Sequence, residues 1–190
     1  LKKYNDEKVN IISVGRLAPN KGFEKLIEVF AVYNRYFNKA SRLIIVGDKH
    51  PRLAAYINYL SNKVKYLNLE NSVVFTGKVS EEKLKSYFII SNIFILTSYH
   101  EGFCVPLVEA MSLKIPVLAY GSTAVADTIG DGGIAWEDLD IRLMAVTIDE
   151  IVNDRDTYFF LGEEGWKRYE NNYTDEKIQK KFLNVIGRYL

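Results

Sequence analysis

Short apolar runs of strand type alternate with helical stripes from Val9 to Ala135, and no other feature narrows the possible folds so far. Val9–Val14, Leu43–Val46, Val73–Phe75, Ile93–Leu96, Val117–Ala119 and Ile134–Ala135 read as strands. Between the first two, Phe23, Leu26, Ile27, Phe30 and Phe37 follow helical spacing and give a stripe that can face a sheet. Leu53, Ile57, Leu60 and Val64 do the same within a tyrosine-rich helix expected over 51–67, whose tyrosines read as packing and rim residues. Ser80 is placed to cap a helix through Ile90, Pro106 to open another, and Gly121-Ser122-Thr123 to start a brief one ending near Ile129. Beyond Trp136 the pattern is helical, with 139–153, 155–171 and 175–189 as candidates.

Strands alternating with helices at this spacing make an α/β protein with a parallel sheet covered on both faces, a doubly wound Rossmann-like fold ending in a helical C-terminal segment. Ligands on such sheets bind beyond the carboxyl ends of the strands. The loops at Gly15–Gly22, Gly77–Val79 and Ser98–Val105 all leave strands at that end and are expected to converge. With 190 residues, 48% of them hydrophobic, the chain suits one soluble domain over 9–190, preceded by a polar, linker-like stretch over 1–8. That stretch and the leading Leu1 fit a fragment of a longer protein.

Charge and cysteine content exclude several classes. Twenty-five basic and 24 acidic residues leave a net charge of +1, which gives no bulk attraction for nucleic acid. No apolar run approaches the ~18 residues of a membrane span. Cys104 is the only cysteine, so an internal disulfide and a cysteine-based metal cluster are excluded. Together with the lack of a signal-peptide pattern, this points to the cytoplasm, with the complete protein at the inner face of the membrane as a further expectation. Cys104 could serve as a nucleophile only with an activating base such as His100 beside it.

Ser98–Met111 concentrates polar residues between the strand at Ile93–Leu96 and the helix that Pro106 opens. A proline in the first helical turn has no N–H to leave unpaired, so the amides of Gly102, Phe103, Cys104 and Val105 are expected to point outward, where they attract an anion. Glu101 and Glu109 frame this turn. A carboxylate is a poor neighbour for phosphate but a good acceptor for hydroxyl groups, and phosphate plus diols suggests a nucleotide sugar. Both glutamates are equally readable as helix-terminus residues favoured by the macrodipole.

Glu101 and Glu109 with Gly-Phe-Cys-Val-Pro-Leu-Val between them resemble the Glu-x7-Glu motif of retaining glycosyltransferases of the GT-B architecture, family 4 type. Val14-Gly15-Arg16-Leu17-Ala18-Pro19-Asn20-Lys21-Gly22 is similar to that family's Val-Gly-Arg-Leu-x-x-x-Lys-Gly loop. Ile45–Asp48, Val74–Val79 and Pro116–Ala119 fall in the family's order and spacing, and the similarity runs from about Val9 to Tyr173. The resemblance implies the C-terminal, donor-binding half of a GT-B fold. It further implies that Arg16 and Lys21 neutralise the donor diphosphate and the charge that grows on it, beside Gly15, which permits close approach. Glu109 is implied to bind the ribose hydroxyls. Glu101 with the Gly102–Cys104 amides would face the sugar and its phosphate, and Lys78 and Val79 the base. Cys104 departs from the family's usual glycine. Without the resemblance, Arg16 and Lys21 read as a solvated surface pair and Lys78 as an ordinary surface lysine.

Asp138-Leu139-Asp140 has the spacing of a metal motif from another architecture, but capping of the next helix by Asp138 explains it better. His50 and His100 are too few for a histidine metal site, and no metal or other cofactor is expected. The resulting expectation is a donor domain that binds an NDP-sugar for transfer to a glycan or lipid-linked acceptor in polysaccharide biosynthesis. Its acceptor-binding N-terminal half would lie outside this chain, leaving the chain alone inactive. Two other readings stay open: a non-catalytic sugar-nucleotide or partner-binding module, and part of a GT-B sugar-nucleotide epimerase.

Overall fold

The computed structural model describes Tyr4 and residues 6–187. Six strands, β1 (Val9–Val14), β2 (Ser41–Val46), β3 (Val73–Gly77), β4 (Ile93–Leu96), β5 (Val117–Tyr120) and β6 (Ile134–Trp136), form one sheet in the order β3-β2-β1-β4-β5-β6. Every pairing is parallel. The order reverses between β1 and β4, so the chain leaves these two neighbours toward opposite flanks and opens a crevice at their carboxyl ends.

Both faces of the sheet are covered, and the alternation within each strand assigns its residues to one face or the other. Ile11, Leu43, Ile45, Ile93 and Ile95 join one core with Phe23, Leu26 and Phe30 of α1 (Phe23–Tyr36) and Met144 and Ile148 of α6 (Ile141–Asn153). Ile12, Ile44, Val46, Phe94 and Leu96 join a second core with Tyr87 and Phe88 of α3 (Glu81–Ile89) and Leu107, Ala110 and Met111 of α4 (Val105–Ser112). With period-two alternation feeding two apolar layers, the strands read as unbroken apolar runs. The remaining helices are α2 (Ala54–Tyr66), α5 (Val125–Ile129), α7 (Arg155–Asn172) and α8 (Asp175–Ile186). Among the described residues no helix is long and apolar enough to cross a membrane.

Several boundaries differ from the sequence reading. The helix expected over 51–67 begins as a 3-10 turn, Pro51–Leu53, before α2 takes over. Phe37 lies one residue past α1, 41% exposed and stacked on Tyr33 at 6.2 Å, rather than in the buried stripe. The cap of α6 is Asp140, whose Oδ1 accepts from the amides of Arg142 (2.8 Å) and Leu143 (3.0 Å), not Asp138. Of the final helix expected to reach Tyr189, residues 188–190 lie outside the described residues.

Of the stretch read as a linker, residues 1–3 and 5 likewise lie outside, while Tyr4 is buried in the second core. The guanidinium of Arg42 lies 4.7 Å over the Tyr4 ring and donates to both Asp6 carboxylate oxygens, at 3.1 and 2.6 Å. Its hydrogen bonds hold the Asp6 carboxyl below the usual carboxylate range. A buried arginine requires such partners, and here they come from a segment whose sequence carries no apolar period.

Candidate functional site

The loop after β1 is shaped by contacts that only glycine permits. Pro19–Lys21 make a single 3-10 turn closed by Gly22 at φ 62°, and a Cβ on Gly22 would sit 2.1 Å from the Thr97 carbonyl oxygen. Gly22 therefore brings this loop against the end of β4, where Thr97 Oγ1 donates to the Gly22 carbonyl at 3.0 Å. The amide of Tyr99 donates to the Asn20 carbonyl at 2.9 Å, a second tie between the two loops. The result is the ion pair of Lys21 Nζ with Glu101 Oε1 at 2.6 Å, both side chains largely out of solvent.

On its other side the β4–α4 loop is held by residues that the sequence reading treated only as a helix start. Thr123, at φ 48°, accepts from the Glu101 amide through Oγ1 at 3.0 Å and donates to the Glu101 carbonyl at 2.7 Å. Ser122 Oγ donates to the Ser98 carbonyl at 2.5 Å. Glu24 in α1 joins the frame, accepting from Tyr99 Oη at 2.7 Å and from Tyr56 Oη of α2 at 2.5 Å. Short range patterns could not have found these residues, since each partner is at least 22 positions away.

Cys104 takes φ 56° in the left-handed region, at the position where the family pattern has glycine. This turn leaves the amides of Gly102, Phe103 and Cys104 without acceptors among the described residues. Cys104 itself is buried, and that burial pushes its thiol up to about 11, with Glu101 adding to the shift. Among the described residues no side-chain base is hydrogen-bonded to the thiol, so the activating contact that a nucleophilic role requires is not formed.

A cleft of about 390 Å³ at the sheet's switch point gathers Gly15, Arg16, Lys21, Glu101, Cys104 and Val105. Among the described residues the Arg16 guanidinium has no ion-pair or hydrogen-bond partner. An arginine without a partner, a neutralised Lys21–Glu101 pair and the acceptor-free amide of Cys104 give this cleft the chemistry to hold an anion. The other expected residues lie around it. Glu109 lines a separate cleft of about 320 Å³ with Glu81, Leu84, Lys85 and Phe88. Burial, with Glu81 nearby, raises its carboxyl above the usual range. Lys78 is exposed, Val79 is half-buried against the second core, and neither lines these two clefts. Gly102 is exposed, and Phe103 turns outward to meet Tyr173 edge-on at 5.4 Å.

Comparison with known proteins places this geometry. The sequence model of the glycosyl transferases group 1 family matches residues 2–168. A probable sucrose-phosphate synthase of Thermosipho melanesiensis is 31% identical over 190 residues, covering 98% of this chain and 43% of that protein. The capsular polysaccharide biosynthesis glycosyltransferase CapM of Staphylococcus aureus is 27% identical over 180 residues, covering 93% of this chain and 45% of that protein. The chain thus spans about half the length of these curated relatives. Among solved structures, the C-terminal domain of a glycosyl transferase group 1 family protein (LpcC) from Francisella tularensis superposes with a TM-score of 0.81 at 24% identity, over 92% of this chain and 90% of that one. Anabaena HepE, solved with UDP-glucose, gives 0.85 at 20% identity, over 96% of this chain and 49% of that one. A match that runs through nearly all of the sheet and both clefts is decisive: the chain belongs to the glycosyl transferases group 1 family and has the fold of a GT-B C-terminal domain.

Proposed function

We propose that this domain binds the nucleotide-sugar donor of a retaining glycosyltransferase, with the diphosphate in the cleft between the β1–α1 and β4–α4 loops. The observation that carries the reading is a cleft that gathers Arg16, the Lys21–Glu101 pair, Cys104 and Val105, where among the described residues the Arg16 guanidinium has no partner and the Gly102–Cys104 amides have no acceptor. Lys21 keeps two further N–H donors after pairing with Glu101, so it serves both the carboxylate and a phosphate oxygen. As the glycosidic bond breaks, negative charge grows on the diphosphate, and fixed donors already aimed at it stabilise that change. Glu101 faces the sugar, Glu109 takes the ribose hydroxyls, and Val79 and Lys78 lie toward the base. HepE, which shares this fold, was solved with UDP-glucose, and that supports a nucleotide sugar as the ligand class. The cations and the amides replace a metal in neutralising the donor, and the complete enzyme uses a second half for a glycan or lipid-linked acceptor.

Calorimetry with UDP-, GDP- and ADP-sugars, beside a transfer assay, tests the reading. One of the three is expected to bind, with the same affinity in EDTA, and without turnover by this chain alone. Binding by none of them would refute the donor assignment. A requirement for Mg²⁺ or Mn²⁺ would refute the cation assignment.

Glu109→Gln separates the two carboxylates. Its raised pKa means that the ionised, hydroxyl-accepting form fills as pH rises through that raised value, so nucleotide affinity is expected to climb over the same window. The variant should lose several-fold affinity for the ribonucleotide, lose the pH dependence, and lose little for the 2′-deoxy form. Equal losses for ribose and deoxyribose would remove Glu109 from the ribose.

A further inference from the structure

The loops leaving β1 and β2 form a second cleft, whose His50 and Arg52 the donor reading does not use. A cleft of about 460 Å³ is lined by Arg16, Asn20, His50 and Arg52 over Ala18 and Leu53. It adjoins the first cleft and shares Arg16 with it. No carboxylate lines it, and among the described residues neither arginine side chain has a hydrogen-bond or ion-pair partner. Two unpaired guanidinium groups on one cleft repel each other until an anion sits between them.

The local backbone holds these groups in place. His50 Nδ1 accepts from the Arg52 amide at 3.2 Å as Pro51 opens the 3-10 turn, which leaves Nε2 as the imidazole's open edge. The Asp48 carbonyl accepts from the Leu17 amide at 3.1 Å and pins this loop to the one carrying Arg16. Lys49 turns away, its ammonium 5.6 Å over the Phe75 ring. Two guanidinium forks, an imidazole edge and the Asn20 amide, above a buried Ala18, make a donor set suited to a phosphate group.

We propose that this cleft holds a phosphate group carried by the glycosyl acceptor, with Arg16 shared between that phosphate and the donor diphosphate. The inference rests on the donor reading of the adjacent cleft. A shared guanidinium screens the two anions from each other and sets the acceptor beside the departing diphosphate. Acceptor phosphate can come from a sugar phosphate or from a lipid-linked pyrophosphate, and the same donors fit either.

The test is a titration of the isotope-labelled chain, followed by its amide resonances with the donor cleft saturated with UDP. Glucose 6-phosphate, geranyl pyrophosphate and glucose are the three probes. Saturable shifts at Arg16, Asn20 and Arg52 are expected with at least one of the phosphorylated probes and none with glucose; the tighter phosphorylated probe identifies the source. Arg52→Ala should weaken that binding about tenfold and leave UDP affinity unchanged. The subsite is overturned if glucose moves the same amides, if neither phosphorylated probe gives a saturable response, or if Arg52→Ala keeps full phosphate affinity. UDP affinity is read in the same samples. UDP binding without a phosphate response sinks the subsite alone, whereas no UDP binding sinks the donor reading, and the phosphorylated probes then judge the subsite without it.

Discussion

Lys21→Ala is expected to weaken nucleoside diphosphate binding by about tenfold or more and to lower kcat in the complete enzyme. A charge-assisted hydrogen bond contributes roughly 1.5–3 kcal/mol, and about 1.4 kcal/mol is a factor of ten in affinity. The truncation also strips Glu101, 9% exposed, of its countercharge and leaves a carboxylate facing the incoming phosphates. Among the described residues Arg16 has no such partner, so Arg16→Ala should cost the phosphate contact alone and come out milder than Lys21→Ala. Adding Glu101→Gln to Lys21→Ala should restore part of the lost affinity. Nucleoside without phosphates should bind all of these variants alike. If Arg16→Ala and Lys21→Ala raise KM at unchanged kcat while chemistry is rate-limiting, the cations anchor the donor and do nothing for the leaving group.

Gly22→Ala should destabilise the fold by roughly 3 kcal/mol or more, the size reserved for a few backbone and core mechanisms. The left-handed φ costs a side chain about 1–2 kcal/mol by itself. The larger part comes from the Thr97 carbonyl oxygen, which a Cβ would approach to 2.1 Å, so β4 or the loop must shift. Gly77→Ala is the control, since Gly77 also has positive φ, 73°, but open space around its Cβ position. Urea denaturation should show only the conformational cost at Gly77 and a far lower midpoint at Gly22. Equal midpoints would mean that the two loops are not held by this contact. Because Gly22 also sets the Lys21–Glu101 pair, any folded Gly22→Ala protein should bind diphosphate poorly.

The strands were legible in sequence because a sheet covered on both faces needs continuous apolar runs, and β1 and β4 were read to the residue. Their ends failed where polar residues are satisfied locally. Ser41 begins β2 fully buried because Oγ donates to the Asn38 carbonyl and accepts from Asn34, a combination that a hydropathy pattern reads as loop. Asp138 and Asp140 are both plausible caps by type, and only the geometry of the first α6 turn selects the second. At the site, the cations, glycines and carboxylates were legible as a motif, while Thr123 and Glu24 were not. Their bonds to the β4–α4 loop span 22 and 75 positions, and nothing within a short window marks them. Nor does motif spacing specify that Glu101 and Glu109 line different clefts, since that depends on the left-handed turn at Cys104 between them.

Amide chemical-shift mapping of this chain with UDP and with uridine bears most directly on the donor assignment. UDP is expected to move the resonances of Gly15, Arg16, Gly102, Phe103 and Cys104, and uridine to leave these five in place while moving those around Glu109. Shifts from UDP confined to other surfaces, or the same five amides moving equally with uridine, would contradict a diphosphate held between Arg16 and the start of α4.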